Sequence, residues 1–363
     1  MRGTSAIVAT TVVIAAGAGC TQPGADRAAA ELAVGQAAAA GWTVAIDDGL
    51  GAVRRLDPAV LEVWAGAPTI ELTLGAEVTT SLTVIIHNAV PDAEITSPTV
   101  ALGATTTGAR VTDRTVSAVI PAGAHRLRVA APDADEVGRF RVVAMADIQT
   151  ALPTVDEVFA RIAGVPDVRF VVSMGDLTER ALEEEYDLFE AQLAYLPVPY
   201  YTTLGNHELW TEADNYFRRF GRASFQARFK GAAFTFADSG DGGLDPTVEG
   251  WLDGWLADGA DDLHLFLTHY PPIDPVGVRA GSFRSRRQAH QLLARLSEGG
   301  VDLTLYGHVH TFLAYENAGI PAYISGGGGA VPVRWDGIGR HVLVVDLDPA
   351  RGAIDQVGVA RVD

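Results

Sequence analysis

The second half of the chain alternates short apolar runs with segments of helical periodicity, and a polar fragment follows almost every run. Runs rich in Val, Leu and Phe begin near Arg139, Val168 and Leu263 and predict buried strands. Between strands, apolar residues recur at helical spacing, as in 289–296. Strands that alternate with helices form a mostly parallel sheet, whose carboxyl ends meet along one edge. The pattern therefore predicts an α/β domain over residues 137–363, with the polar fragments gathered at that edge.

Five polar fragments at these strand ends hold the candidates for chemistry. They share carboxylate, amide and imidazole side chains, mostly beside glycine: Asp147-Ile148-Gln149, Gly175-Asp176, Gly205-Asn206-His207-Glu208, His269 and Gly307-His308-Val309-His310. In D-x-Q and H-x-H, both side chains lie on the same side of an extended backbone. Each fragment is a weak signal alone, but five in this order, each behind a strand, indicate one site. Because the chain has a single cysteine, a thiolate zinc site is excluded, and these ligands suit Mn²⁺, Fe²⁺, Zn²⁺ or Co²⁺.

The order D-x-[HQ], G-D, G-N-H-[ED], a lone His and G-H-x-H resembles the calcineurin-like metallophosphoesterase superfamily, in a D-x-Q variant. The resemblance covers residues 139–345. It implies an αββα sandwich with a dinuclear metal centre at the strand ends. It also implies a metal-dependent hydrolase of small phosphate esters, in which a hydroxide bridging two divalent metal ions attacks phosphorus.

The same resemblance assigns roles to residues of this chain. The implied metal ligands form two sets that share Asp176 as the bridge: Asp147, Gln149, Asp176 and His310 for one ion, and Asp176, Asn206, His269 and His308 for the other. Asp176 and His207 are the expected catalytic residues. His207 would protonate the leaving group rather than bind metal. For Glu208 two interpretations stay open, a carboxylate that orients His207 and a solvated turn residue.

Two positions depart from the commoner family patterns. Gln149 stands where D-x-H has an imidazole, and its amide is a neutral, weaker ligand. Asp-Ile-Gln is similar to the ADP-ribose/CDP-alcohol diphosphatase branch, so a nucleotide-type diphosphatase is an alternative function. Glu179 stands where purple acid phosphatases have an iron-binding tyrosine, which argues against a ferric–tyrosinate site.

Residues 1–20 have the composition of an export signal. Arg2 precedes the uncharged run Ala6–Gly19, which is shorter than the ~20 residues that span a bilayer. The run ends in Gly17-Ala18-Gly19-Cys20, which resembles a bacterial lipobox, although Gly17 stands where Leu is usual. The alternative is an ordinary cleavage site beside a chance cysteine. We expect an exported protein with Cys20 lipidated and anchored to the cell envelope.

Between the signal and the α/β domain, the composition predicts two further segments. Residues 21–45 are Ala-rich and predict a tether, with a short helix as the alternative. Over residues 46–136, short runs rich in Val, Ile and Thr alternate with Pro, Gly and Asp turn signals. This pattern predicts a small all-β sandwich domain.

The net charge limits the kinds of partner that the chain can bind. The chain has 45 acidic and 27 basic side chains, a net charge of −18, which disfavours duplex nucleic acid. Membrane contact is expected only through the lipid anchor. A non-enzymatic alternative is a surface-binding lipoprotein that works through its β-sandwich and carries a decayed metal site. The run Gly326–Gly329 predicts a tight turn under the metal loops, with a phosphate-binding loop as the alternative.

Overall fold

The computed structural model describes residues 22–39, 41–277, 281–333 and 338–362, so the predicted export signal and Cys20 lie outside the described residues. The α-helices are α1 (Gly24–Glu31), α2 (Asp156–Ala163), α3 (Glu183–Gln192), α4 (Asp214–Phe220), α5 (Pro246–Asp258) and α6 (Arg286–Glu298). Among the described residues, none of these helices combines the length and apolarity needed to cross a membrane.

The strands fall into an N-terminal and a C-terminal group. The first group is β1 (Gln36–Ala39), β2 (Trp42–Ile46), β3 (Gly51–Leu56), β4 (Val60–Ala65), β5 (Ile70–Ala76), β6 (Thr80–His87), β7 (Glu94–Thr96), β8 (Ala101–Leu102), β9 (Thr106–Thr107), β10 (Arg114–Ile120) and β11 (Gly123–Ala130). The second group is β12 (Phe140–Met145), β13 (Val168–Ser173), β14 (Tyr200–Thr202), β15 (Phe225–Phe229), β16 (Ala232–Ala237), β17 (Leu263–Thr268), β18 (Leu303–Tyr306), β19 (Phe312–Asn317), β20 (Ile320–Ser325), β21 (His341–Asp348) and β22 (Ala353–Arg361).

The N-terminal strands form a β-sandwich. One sheet has the order β1-β2-β5-β11-β7, and the other has the order β3-β4-β6-β10-β8, with β9 paired to β10. Burial alternates along β5, where Ile70, Leu72 and Leu74 are buried, and along β6, where Val84 and Ile86 are buried. Each strand therefore turns one face toward the opposite sheet. The predicted all-β region is confirmed.

Of the two alternatives for residues 21–45, the tether does not describe the structure, which has the short helix α1 there, followed by β1 and the start of β2. In α1, Arg27 Nε donates to Asp238 Oδ2 at 2.7 Å, and both side chains are buried. Glu31 accepts hydrogen bonds from the backbone N and the Oγ of Ser224 at 3.0 and 3.1 Å. These contacts fix α1 against the second half of the chain. The Ala-rich composition could not reveal them, because both partners lie far along the sequence.

The C-terminal strands form two sheets that lie face to face between helices. Their orders are β14-β13-β12-β21-β22 and β15-β16-β17-β18-β20-β19. The inner faces share one core, with Val142 and Phe170 from the first sheet and Leu265 and Leu305 from the second. Helices α2, α3 and α4 cover one outer face, and α5 and α6 cover the other. This arrangement is the αββα sandwich that the resemblance implies.

Parallel pairing sets the position of the polar fragments. Strands β12, β13 and β14 are parallel neighbours, and β16, β17, β18 and β20 are parallel neighbours in the facing sheet. The carboxyl ends of parallel strands meet at one edge, where open α/β sheets gather their sites. The fragments after β12, β13 and β14 consequently face those after β17 and β18.

Candidate metal centre

Asp176 lies at the centre of the converging loops, and its side chain is fully buried. Its Oδ2 lies 2.6 Å from Gln149 Nε2 and 3.3 Å from His269 Nε2. Its Oδ1 accepts a hydrogen bond from the backbone N of His207 at 2.9 Å. Asp176 therefore contacts members of both predicted ligand sets, which is the position a bridging carboxylate needs.

The first predicted ligand set is assembled around His310. Its Nε2 lies 3.4 Å from Asp147 Oδ1 and 3.2 Å from Gln149 Nε2. Its Nδ1 lies 2.8 Å from the carbonyl oxygen of Val331, an acceptor that fixes the proton on Nδ1. In the neutral ring, the lone pair of Nε2 then faces Asp147 and Gln149. Asp147 Oδ1 is buried and has no hydrogen-bond partner within the described ranges.

The second predicted ligand set is assembled around Asn206. Its Oδ1 lies 3.0 Å from His269 Nε2 and 2.9 Å from His308 Nδ1. His269 Nδ1 lies 2.7 Å from the carbonyl oxygen of Met174, so the neutral His269 ring also presents its Nε2 lone pair to the site. Ligand atoms of Asp147, Asp176 and His269 lie within 4.8 Å of one another. The structure thus brings all seven predicted metal ligands together.

The electrostatics of the site favour a cation. Burial opposes a positive charge on His269, yet the nearby carboxylates of Asp176 and Asp147 raise the pKa of its imidazole to about 9. Burial, together with the charge of His269, lowers the pKa of His308 to about 3. Burial also disfavours the charged form of Asp176, but His269 and His207 hold the pKa of its carboxyl below the ordinary range. Buried carboxylates that remain charged are the groups that metal ions bind.

Four site residues adopt a left-handed backbone that side-chain-bearing residues rarely adopt. The φ angles are +65° at Asp147, +48° at Gln149, +57° at Asp176 and +64° at His308. Such conformations cost free energy and persist where the surroundings enforce them. Here the backbone N of Ile148 donates to the carbonyl oxygen of Asp176 at 2.8 Å, which joins two of the strained loops. The sequence fragments themselves carry no signal of this strain.

Glycine allows the loops to approach Asp176. A Cβ on Gly205 would lie 2.1 Å from Asp176 Oδ1, so a side chain at that position would displace the carboxylate of Asp176. Gly326–Gly329 is a turn packed beneath Asp147, as the tight-turn interpretation predicts. The N–H of Gly328 donates to the carbonyl oxygen of Ala146 at 2.8 Å, so this amide is used inside the protein.

Glu208 is the functional residue whose role the sequence analysis missed. Its buried carboxylate accepts hydrogen bonds from the backbone N of Asp176, Leu177, Thr178 and Gly205 at 2.7 to 3.2 Å. Both interpretations of Glu208, as a partner of His207 and as a solvated turn residue, are therefore wrong. The carboxylate points into the protein because the two loops that carry the predicted ligands have buried backbone N–H groups, which need a hydrogen-bond acceptor. It joins the loop after β13 to the loop after β14.

His207 lies beside the predicted metal ligands, and other groups hold its ring. Its Nδ1 lies 2.7 Å from the carbonyl oxygen of Glu179 and 3.6 Å from Oε2 of the same residue. Its ring stacks on Trp210, with centroids 5.7 Å apart and planes 20° apart. Because Glu179 fixes the proton on Nδ1, the neutral ring keeps Nε2 for other partners.

Two solved structures are similar to parts of this chain. The structure of PhoD covers 86% of this chain and 88% of its own, with a TM-score of 0.47 and 11% identity. A dimetal phosphatase from Danio rerio covers 62% of this chain and 99% of its own, with a TM-score of 0.46 and 13% identity.

Sequence comparison relates this chain to one curated protein and to one family model. A curated relative, the probable glycerophosphodiester phosphodiesterase GpdQ of Arcobacter nitrofigilis, is 28% identical over 162 residues. The alignment covers 40% of this chain and 58% of that relative, so the chain spans little more than half the relative's length. The family model for calcineurin-like phosphoesterases matches residues 140–312, the segment that carries all seven predicted ligands. Residues 140–312 are therefore assigned to the calcineurin-like phosphoesterase family.

Proposed function

We propose that this protein is a metal-dependent hydrolase of small phosphate esters. The observation that carries the proposal is the convergence of seven oxygen and imidazole ligands around the buried carboxylate of Asp176. A surface-binding lipoprotein with a decayed site would have no need to keep all seven. Family membership and the relative's name, a phosphodiesterase, support the same reaction class.

The residues of the site fit divalent metal ions. Asp147 Oδ1 is buried without a hydrogen-bond partner among the described residues, and two histidines present their Nε2 atoms inward. We infer two ions, one held by Asp147, Gln149, Asp176 and His310, and one by Asp176, Asn206, His269 and His308. The donor chemistry suits Mn²⁺, Fe²⁺, Zn²⁺ or Co²⁺. When bound, such a pair neutralises the phosphoryl oxygens and supplies a nucleophile at neutral pH.

His207 would serve as the general acid. The carbonyl oxygen of Glu179 orients the ring through Nδ1, and the carboxylate of Glu179 lies 3.6 Å from the same nitrogen. As the ester P–O bond breaks, the leaving oxygen takes the proton from Nε2, which leaves a neutral ring. A general acid must be a side chain that does not itself bind metal, so that it can carry the proton.

Metal removal tests the proposal. Wild type, Asp176→Asn and His308→Ala are assayed with bis(4-nitrophenyl) phosphate and with 4-nitrophenyl phosphate, before and after exhaustive chelation. Chelation is expected to abolish turnover, and divalent metal is expected to restore it in wild type only. His290→Ala, a change at an exposed helical residue, is the matched control. Full activity after chelation would exclude the mechanism.

We also propose that the protein is exported and lipidated at Cys20. The support is the uncharged run before the only cysteine of the chain. Mass spectrometry of the membrane fraction identifies the first residue of the mature protein, and Cys20→Ser should move the protein to the soluble fraction. A mature chain that begins elsewhere, or an unmodified Cys20, would contradict the proposal.

A further inference from the structure

An exposed indole lies directly beside the proposed general acid. Trp210 follows the short helical turn His207–Leu209, and its backbone N donates to the carbonyl oxygen of His207 at 3.3 Å. Its side chain is 59% exposed although one side stacks on the His207 ring. Tryptophan carries a large apolar surface that is usually covered. The turn therefore presents this ring to the space in front of His207.

Other apolar side chains are exposed on segments that hold the metal ligands. Val331, whose carbonyl oxygen orients His310, is 58% exposed, and Ile273 lies three residues after Tyr270. Tyr270 itself stacks on His308, with centroids 3.7 Å apart. Exposed apolar groups around a polar site are typical of ligand-binding clefts, where they bind the part of the ligand that does not react.

The stacking geometry favours a planar ligand. The Trp210 and His207 rings are nearly parallel, but their centroids are 5.7 Å apart, so His207 covers only part of the indole. The uncovered part of the indole is therefore adjacent to the ring that would protonate the leaving group. Aromatic rings gain most from such contact, because they stack on the indole face with little loss of conformational freedom.

We propose that Trp210 binds the leaving group, and that the preferred substrates are phosphate esters of aromatic alcohols or of nucleosides. This proposal rests on the proposed function and assigns a substrate class to the same site. It makes Trp210 a binding residue. Its loss should weaken the binding of substrates that have a planar leaving group and leave the binding of other substrates unchanged.

Kinetics on matched substrates test the proposal with metal-loaded protein. Two diesters are compared whose leaving alcohols have similar acidity, one phenolic and one fluoroalkyl, so that demand for the general acid is equal. Trp210→Ala should raise KM for the aryl ester roughly 5- to 10-fold and leave the fluoroalkyl ester nearly unchanged. Trp210→Phe should keep most of the wild-type preference for the aryl ester over the fluoroalkyl ester. Tyr195→Ala, at another exposed aromatic residue, is the control. A third substrate, a nucleoside ester, shows by its KM whether the protein prefers nucleosides or simple aryl groups as leaving groups.

Binding separates this proposal from the proposed function. Calorimetry compares phenylphosphonate with methylphosphonate, and wild type should prefer the phenyl compound whereas Trp210→Ala should not. If wild type hydrolyses neither ester yet keeps this preference, the proposed function fails, while the binding of planar groups by Trp210 stands. Equal losses in kcat on both esters, with unchanged phenylphosphonate binding, would show that Trp210 only positions His207. Unchanged kinetics and binding in Trp210→Ala would equally overturn the proposal.

Discussion

The carboxamide of Asn88 bonds to both backbone polar groups of Tyr200. Its Nδ2 donates to the carbonyl oxygen of Tyr200 at 2.9 Å, and its Oδ1 accepts from the Tyr200 N–H at 2.8 Å. Nδ2 also donates to the carbonyl oxygen of Ala65 at 2.8 Å. Asn88 belongs to the β-sandwich, and Tyr200 lies in the edge strand β14 of the catalytic half. One buried side chain thus pairs with the strand that leads to Asn206 and His207.

Replacing this carboxamide should destabilise the protein in a graded way. Asn88→Gly keeps the positive φ of +60° but removes the pairing, and it should cost about 1–2 kcal/mol. Asn88→Asp places a carboxylate oxygen against two carbonyl oxygens and should cost more, about 3 kcal/mol. Urea unfolding measures both. If the Asp variant is as stable as wild type, the pairing does not hold the junction.

Neutralising Glu208 should loosen the ligand loops. Glu208→Gln replaces one acceptor oxygen by an amide that cannot accept from the backbone N–H groups of Asp176 and Gly205. We expect a loss of about 1–3 kcal/mol in unfolding free energy and weaker metal binding. Thermal unfolding and metal titration measure these effects. Glu184→Gln, at an exposed position on α3, should change neither. A fully stable Glu208→Gln with normal metal affinity would contradict the structural role.

Replacing Gln149 should change the metal preference of one position. Its amide lies 2.6 Å from Asp176 Oδ2 and 3.2 Å from His310 Nε2, where an imidazole would be a stronger donor to late first-row metals. Gln149→His should tighten metal binding and shift the preference from Mn²⁺ toward Zn²⁺. Calorimetric titration with each metal measures this, and Gln356→His adds a histidine at an exposed site as the control. Identical affinities and preferences would mean that Gln149 only contacts bound water or phosphate.

Removing His207 should affect substrates according to their leaving groups. A general acid matters only where the departing oxygen needs a proton, so His207→Ala should slow an alkyl ester by about 100-fold or more. A nitrophenyl ester should lose far less, because its phenolate departs without protonation. Steady-state rates of both esters give the comparison. Similar losses on the two would indicate that His207 is a ligand or a structural residue.

Stability should fall in acid through His264. This histidine is buried, its Nε2 bonds to Thr235 Oγ1 at 2.8 Å, and burial lowers the pKa of its imidazole from 6.5 to about 4. The unfolded chain binds the proton near pH 6.5, so the stability from the neutral ring is complete above pH 6.5 and declines as pH falls toward 4. The loss is at most about 3 kcal/mol.

Urea unfolding between pH 4 and pH 7.5 measures this decline. His264→Gln should have a flatter pH profile than wild type over that interval, while His290→Gln, at an exposed histidine, should follow wild type. Parallel profiles for wild type and His264→Gln would show that other groups set the acid sensitivity.

The alternation of apolar runs and polar fragments predicted the α/β architecture of the C-terminal half and the strand edge at which the candidate site lies. Asp147, Asp176 and His308 each follow an apolar run, and parallel pairing alone carries such residues to one edge. Glu208 could not be assigned from sequence, because its partners are backbone amides that only the folded loops bring together. The contacts that hold helix α1 could not be predicted for a similar reason, since Asp238, the partner of Arg27, lies in a distant segment. The positive φ angles at four site residues reflect tertiary constraint rather than local preference.

The buried ion pair between Arg27 and Asp238 joins helix α1 to the loop that precedes α5. Asp238 begins the loop that follows β16, and Ser239 in that loop accepts from the backbone N of Tyr270, which stacks on His308. Gly24 lies against the same region, since a Cβ there would be 3.3 Å from the Cβ of Asp245. The first described helix and the loop that supports Tyr270 are therefore held by one buried ion pair. A substitution at Arg27, far from the candidate ligands in sequence, would consequently disturb the neighbourhood of His308 as well as the helix itself.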